Sequence, residues 1–146
     1  KGVEITRQNV SNFAQAMSGV YGKGAVLSIC NVGFDAFMLE SIVPLLNGRT
    51  IVLPKEEDTE SPERIAGLIT GYAVGFMALT PSRLTAFLKN DSFLEAMRSM
   101  ESIVCGGEAF PGELLSKLQI CSDAQIYNQY GPSEATVGVS MKLLNY

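Results

Sequence analysis

Histidine is absent from this chain of 146 residues. That removes the commonest general base, the Ser-His triads and most zinc sites. Cysteine is scarce. Cys30, Cys105 and Cys121 stand alone, with no CxxC pair and an odd count. Neither a metal knuckle nor a disulfide framework is indicated, and reduced thiols in a cytoplasmic protein are the expectation. No apolar run is long enough to span a bilayer. No signal peptide opens the sequence, and Lys1-Gly2-Val3 reads as a cut inside a longer protein. Only 18% of the residues are charged, the net charge is −4, and no block of one sign occurs. A nucleic-acid or anionic-membrane surface is therefore not expected. Internal repeats and low-complexity linkers are also missing.

What is present is apolar material. It makes up 47% of the chain, enough for one packed core in a single subdomain spanning residues 1–146. Strand and helix patterns alternate. Thr6 can cap a helix to about Met17, with Val10, Phe13, Ala14 and Met17 at helical spacing. Residues 25–29 read as a buried strand. Asp35 precedes a helix to about Leu46, which Pro44 should bend or end early and Asn47-Gly48 should close. Residues 49–53 form the next strand, and 55–60 a charged surface loop. Ser61-Pro62 and Thr80-Pro81 both carry a cap followed by a first-turn proline. They start helices to about Thr70 and Leu88. Asp91 caps a further short helix. Strands are predicted at 75–79, 102–105, 124–127 and 137–143, with a helix at 111–118.

Strands of this kind, several wholly apolar, predict an α/β fold: a mostly parallel, flavodoxin-like sheet with helices on both faces. In such sheets the ligand lies beyond the carboxyl ends of the strands. Attention therefore falls on residues 30–35, on Thr80-Pro81, on residues 106–109 and on residues 128–134. The last stretch, Asn128-Gln129-Tyr130-Gly131-Pro132-Ser133-Glu134, packs two carboxamides, an aromatic ring, a tight turn, a hydroxyl and a carboxylate together. From spacing alone it is either a plain Gly-Pro turn or a nucleotide site. In the second case Tyr130 can stack on a base for roughly 1–3 kcal/mol. Ser133 and nearby backbone N–H groups can hold a phosphate, and Glu134 is a hard oxygen ligand suited to Mg²⁺. Asp35 by local pattern is a helix cap or a ligand. Gly22-Lys23-Gly24 lacks the Ser or Thr of a phosphate loop and reads as a turn.

The seven-residue stretch resembles the NxYGPTE motif of adenylate-forming enzymes, with Ser133 where Thr is usual. Cys105-Gly106-Gly107-Glu108-Ala109-Phe110-Pro111 resembles their GGE(x)(F/L)P segment. Gly33-Phe34-Asp35-Ala36 resembles FDxS, with Phe37 in place of the serine, and Lys1-Gly2-Val3 resembles the tail of the phosphate loop. The four fit the family's spacing across the whole chain. The resemblance is to adenylation domains of nonribosomal peptide synthetases. It implies an internal substrate-binding piece, without most of the phosphate loop, the ribose-binding Asp or the small C-terminal domain with its catalytic Lys, so the piece alone should be inactive.

Residue by residue, the resemblance implies that Asp35 pairs with the substrate's α-ammonium group. It places Ala36, Leu39, Ala78, Val104, Gly106, Gln129, Val137 and Gly138 around the amino-acid side chain. Four of these are Ala or Gly and three are Leu or Val, which predicts a roomy pocket for a bulky, mainly apolar or aromatic amino acid, with room for one hydrogen-bonding group to meet Gln129. Gln129 is its one polar side chain. Gly107, Glu108, Ala109, Asn128, Tyr130, Gly131, Pro132 and Ser133 fall to the nucleotide, and Glu134 to Mg²⁺. ATP is implied as a co-substrate, and a carrier domain bearing phosphopantetheine as the partner that receives the amino acid. Rivals are a D-alanine–carrier-protein ligase, an acyl-CoA ligase (disfavoured by Asp35), and a non-catalytic flavodoxin-like binding module.

Overall fold

A computed structural model describes residues 2–145; Lys1, assigned above to the phosphate-loop tail, and Tyr146 lie outside the described residues. Six strands form one sheet: β1 Ala25–Leu27, β2 Ile51–Val52, β3 Val74–Leu79, β4 Ser102–Gly106, β5 Gln125–Tyr130 and β6 Ser140–Leu143. Their order is β2-β1-β3-β4-β5-β6. The first five run parallel, and β6 pairs antiparallel with β5. This is the flavodoxin-like order with an added antiparallel edge. β3 and β4 are buried almost end to end, as strands covered on both faces must be.

Helices cover the two faces. On one, α4 (Pro62–Gly71), α5 (Pro81–Phe87), α6 (Asp91–Ala96) and α7 (Gly112–Cys121) pack Ile65, Ile69, Leu84, Phe93 and Leu118 against Leu27, Met77, Ile103 and Ile126. On the other, α1 (Arg7–Ala16), α2 (Phe37–Glu40) and α3 (Ile42–Leu46) pack Phe13, Leu39 and Val43 against Val26, Phe76 and Val104. Each large side chain so buried contributes about 1.5–3 kcal/mol. The cap signals act where the sequence puts them. Thr6 and Asn9 form a reciprocal capping box on α1. Ser61 and Thr80 each accept the backbone N–H three residues on, with proline following.

Four expectations are corrected. The helix after Asp35 is two short helices broken at Ser41, whose φ and ψ are −129° and −90°. Pro44 causes the break upstream of itself, because its ring would clash with the carbonyl four residues back, on Glu40. Asp35 is not a cap: Ala36 holds the N-cap position and makes no side-chain bond. Asn90, not Asp91, caps α6, its Oδ1 accepting from Phe93 N at 3.0 Å, while Asp91 takes the first turn. Finally, β5 continues through Tyr130 because β4 pairs with it as far as Gln129 and β6 from Tyr127 to Tyr130. Asn128, Gln129 and Tyr130 are thus strand residues. Val137 and Gly138 precede the last strand, in a turn where Thr136 and Val137 adopt φ of +63° and +68°.

At the amino-terminal edge, Gly24 and Gly75 bring β1 and β3 into backbone contact. A Cβ on Gly24 would lie 2.5 Å from Gly75 N and 2.9 Å from Ala73 O. Both are main-chain atoms and cannot turn aside. Gly24→Ala should therefore cost about 1–3 kcal/mol. The denaturant midpoint should fall with an unchanged slope; an unmoved midpoint would mean that the two strands part freely there.

Candidate functional site across the carboxyl ends of the sheet

Parallel pairing delivers every strand exit from β1 to β5 to one edge. The first exit carries Asp35. From β1 the chain passes through Asn31, whose Oδ1 accepts from Gly33 N at 2.8 Å, and then turns into α2. Asp35 is half-buried. Among the described residues no ion pair or hydrogen bond engages its carboxylate. It stands at the β1/β3 junction, where the strand order reverses and doubly wound sheets take their ligands.

Most of the residues that the resemblance assigns to a side-chain pocket lie on one side of the sheet. Ala78, Val104, Gly106 and Gln129 project from β3, β4 and β5 on one sheet face, with Ala78 beside Val104 and Gly106 beside Gln129 in register. Leu39 and Val137 close on the same apolar cluster, and Ala36 is half-buried at the head of α2. The pocket is less roomy than the count of small residues implies. A Cβ on Gly106 would meet Gln129 O at 3.1 Å, and one on Gly138 would strike the Gln129 carboxamide nitrogen, with its Cδ at 3.0 Å. The space freed at both glycines is filled by Gln129 itself. Only Ala36 and Ala78 are left to open the pocket.

The exits of β4 and β5 carry the expected nucleotide residues. Gly107 adopts φ +80°, a conformation that suits glycine, and Gly107, Glu108 and Ala109 are all exposed. Glu108 is already engaged: its carboxylate accepts from Ser82 Oγ at 2.7 Å and Ser82 N at 3.0 Å, in the first turn of α5. These bonds hold its carboxyl below the ordinary carboxylate range. Glu108 thus ties the β4 exit to the β3 exit. Tyr130 is 69% exposed, so its ring is open to a partner. Asn128 is half-buried on the opposite face of β5 from Gln129. Gly131 lies with its Cα against Gly138, and Val139 N donates to Tyr130 O at 2.9 Å. The loop through Pro132, Ser133 and Glu134 is thereby pinched at its base. Ser133 and Glu134 are exposed, with no side-chain partner among the described residues. No group of three or more metal-binding side chains occurs among those residues. A lone carboxylate such as Glu134 suits Mg²⁺, which keeps its waters and takes further ligands from phosphates.

Beneath the site lies a buried polar group that sequence reasoning missed. Glu40 is 0% exposed. Its Oε2 accepts from Ile29 N at 2.8 Å and from Cys30 N at 2.7 Å, at the exit of β1. Arg83 Nη1 donates to Ile29 O at 3.2 Å, so both backbone groups of Ile29 are held by side chains. Arg83 also bonds Thr59 O at 2.6 Å and lies 5.4 Å over the Phe87 ring. Tyr21 Oη donates to Leu39 O at 2.8 Å, fixing a pocket residue from behind. The clue to Glu40 was its isolation: it is the single charged residue between Asp35 and Arg49. Cys105 and Cys121 are buried thiols, and Cys30 is half-buried. Desolvation pushes Cys30 up to about 11 and Cys105 up to about 12.

This arrangement is an α/β core whose candidate ligand site runs across the carboxyl edge of a mostly parallel sheet. The chain belongs to the AMP-binding enzyme family, whose model matches residues 1–145. It is 34% identical to a dimodular nonribosomal peptide synthase of Bacillus subtilis (strain 168) over 142 residues, 94% of this chain and 6% of that protein. It is 30% identical to gramicidin S synthase 2 of Brevibacillus brevis, over 94% of this chain and 3% of that one. Its fold superposes with a TM-score of 0.88, at 25% identity, on a four-domain nonribosomal peptide synthetase bound to AMP and glycine, covering 99% of this chain and 11% of that chain. The Vibrio cholerae adenylation domain AlmE, in complex with glycyl-adenosine-5'-phosphate, shares the fold at a TM-score of 0.82 and 17% identity, over 96% of this chain and 27% of that one. The chain therefore spans a small part of the proteins it matches. These relatives are synthetases, so a non-catalytic binding module is not favoured. No helix among the described residues is long and apolar enough to cross a membrane.

Burial pushes the Glu40 carboxyl up from 4.5 to about 7, against the backbone N–H bonds and the Arg83 charge that pull it down. The sign follows. Below pH 4.5 the group is protonated whether the chain is folded or not. Between 4.5 and 7 the folded state keeps a proton that the unfolded chain releases, so stability falls as pH rises. Glu40→Gln should flatten that fall by roughly 3 kcal/mol at most. Thermal midpoints of both proteins across this range test it, and parallel profiles would contradict the raised value.

Proposed function

We propose that this chain supplies amino-acid recognition and part of the ATP site of a nonribosomal peptide synthetase adenylation domain. In the intact domain the substrate carboxylate attacks the α-phosphorus of ATP, an aminoacyl adenylate forms and pyrophosphate leaves. The amino acid then passes to the phosphopantetheine thiol of a carrier domain. The chain's share is positioning and electrostatics. Asp35 pairs with the α-ammonium group. Leu39, Ala78, Val104 and Val137 enclose a mainly apolar side chain, whose size is set by the space at Ala36 and Ala78. Tyr130 and the backbone of Gly107, Glu108 and Ala109 receive the adenine. Asn128, Gly131, Pro132 and Ser133 shape the nucleotide side, and Glu134 is the carboxylate for Mg²⁺.

The observation that carries this reading is the state of Asp35. A half-buried carboxylate with no cap, ion pair or hydrogen bond stands at the strand-order reversal beside an apolar cluster. Such a group is stabilised by a cation brought by the ligand. An acyl-CoA ligase has no use for that anion. The synthetase relatives, and the AMP, glycine and glycyl-adenosine phosphate bound in two structural neighbours, support the same reading.

Amino-acid-dependent ATP–pyrophosphate exchange in an adenylation domain containing this chain is the test. Asp35→Ala should raise the amino-acid KM by roughly 10- to 100-fold, a charged hydrogen bond being worth about 1.5–3 kcal/mol. The KM for ATP should stay put. Exchange driven by carboxylic acids lacking an amino group would refute the role of Asp35. Separately, Glu134→Gln should lower kcat and steepen the dependence on Mg²⁺, read by titrating the metal against chelator. Identical Mg²⁺ curves would remove Glu134 from the metal site.

A further inference from the structure

Gln129 is the one polar side chain of the pocket, and its two ends are not equivalent. The residue is 7% exposed. Its Nε2 donates to Val137 O at 3.3 Å. The reverse assignment, oxygen toward Val137 O, would set two acceptors against each other with no proton between them, so the orientation of the amide is decided. Val137 cannot easily turn its carbonyl away. It is held between the left-handed Thr136 and Gly138, and Gly138 N donates to Thr136 O at 2.7 Å. Gly138 has no side chain where the carboxamide lies, so the fit of Gln129 into this turn is built into the backbone.

Among the described residues Gln129 Oε1 has no hydrogen-bond partner. It diverges from the nitrogen on the other arm of the amide, on the sheet face that carries Ala78 and Val104. An unmet acceptor in an apolar pocket is a strong selector. It favours a ligand that brings a donor and penalises one of equal shape that does not. We infer that the amino acid activated here carries a hydrogen-bond donor on its side chain, a hydroxyl, phenol, indole or amide N–H, directed at Gln129 Oε1. This inference rests on the adenylation reading above. It narrows that reading from an apolar side chain to one that is apolar in body with a single donor, and it excludes side-chain carboxylates, which would meet the oxygen as a second acceptor.

The test uses isosteric pairs in the exchange assay, with an adenylation domain that contains this chain. Tyrosine is set against phenylalanine, tryptophan against 3-(3-benzothienyl)alanine, in which sulfur replaces the indole N–H, and threonine against valine. The preferred donor-bearing acid should exceed its partner in kcat/KM by roughly 10- to 100-fold. Gln129→Met should erase that ratio while leaving the ATP KM unchanged. Equal use of the partners by the unaltered protein would overturn the inference, as would preference for the purely apolar member; both leave the adenylation reading standing. Exchange with no amino acid at all would overturn both. The comparison within the unaltered protein is decisive even if the variant does not fold.

Discussion

The exit of β1 depends on one carboxylate that never meets water. Glu40 accepts the N–H groups of Ile29 and Cys30, and Arg83 takes the Ile29 carbonyl from the other side. β1 is only three residues long, so the sheet ladder ends before these groups can be paired within it. Backbone polar groups buried without partners cost about as much as a lost hydrogen bond each. Side chains from α2 and α5 do what a longer strand would have done. The consequence is that the segment leading to Asp35 is anchored at its root by two helices that also carry, or adjoin, the pocket. α2 brings Leu39, and the N-terminus of α5 brings the Ser82 contact to Glu108. The parts of the edge proposed for the amino acid and for the nucleotide are thus braced through shared elements.

Other parts of the site repeat that economy. Glu108 sits in the segment that resembles an adenine wall, yet its charge is used to join β4 to α5. What remains for a nucleotide there is the backbone of Gly107 and Ala109 and the open ring of Tyr130. In the same way Gly106 and Gly138 do not enlarge the pocket. They make space for Gln129, whose carboxamide packs into the turn before β6. A glycine in a pocket list frees volume, but neighbouring side chains compete with the ligand for it.

Much of the fold was legible because it rests on local chemistry. Ser61-Pro62 and Thr80-Pro81 begin helices for reasons contained in two residues, and the apolar runs of β3 and β4 require cover on both faces. Strand alternation alone directed attention to the carboxyl edge as the candidate site. What was not legible depended on distant partners. β5 runs three residues beyond its apolar core because β4 and β6 flank it there, and no periodicity within Asn128-Gln129-Tyr130 reveals that pairing. The break at Ser41 required reading Pro44 backward to the carbonyl it displaces. Glu40 looked like an ordinary helix charge until burial gave it two backbone N–H groups.

Among the buried oxygens without a hydrogen-bond partner in the described residues are Glu40 Oε1 and Gln129 Oε1, and these two differ in what can relieve them. A carboxyl group can take up a proton and shed the charge that makes its burial costly, and the rise of Glu40 to about 7 is that response. A carboxamide does not titrate. Its oxygen remains an acceptor at every accessible pH, so only another molecule can meet it. Nearby, Thr136 and Val137 hold left-handed conformations that β-branched residues avoid. That strain sets the Val137 carbonyl, the carbonyl orients the amide of Gln129, and the amide is left with an acceptor that no described residue meets. A backbone cost and an unmet hydrogen bond in one short chain of contacts are hard to reconcile with packing for stability alone. They fit a surface whose last partner arrives with the substrate.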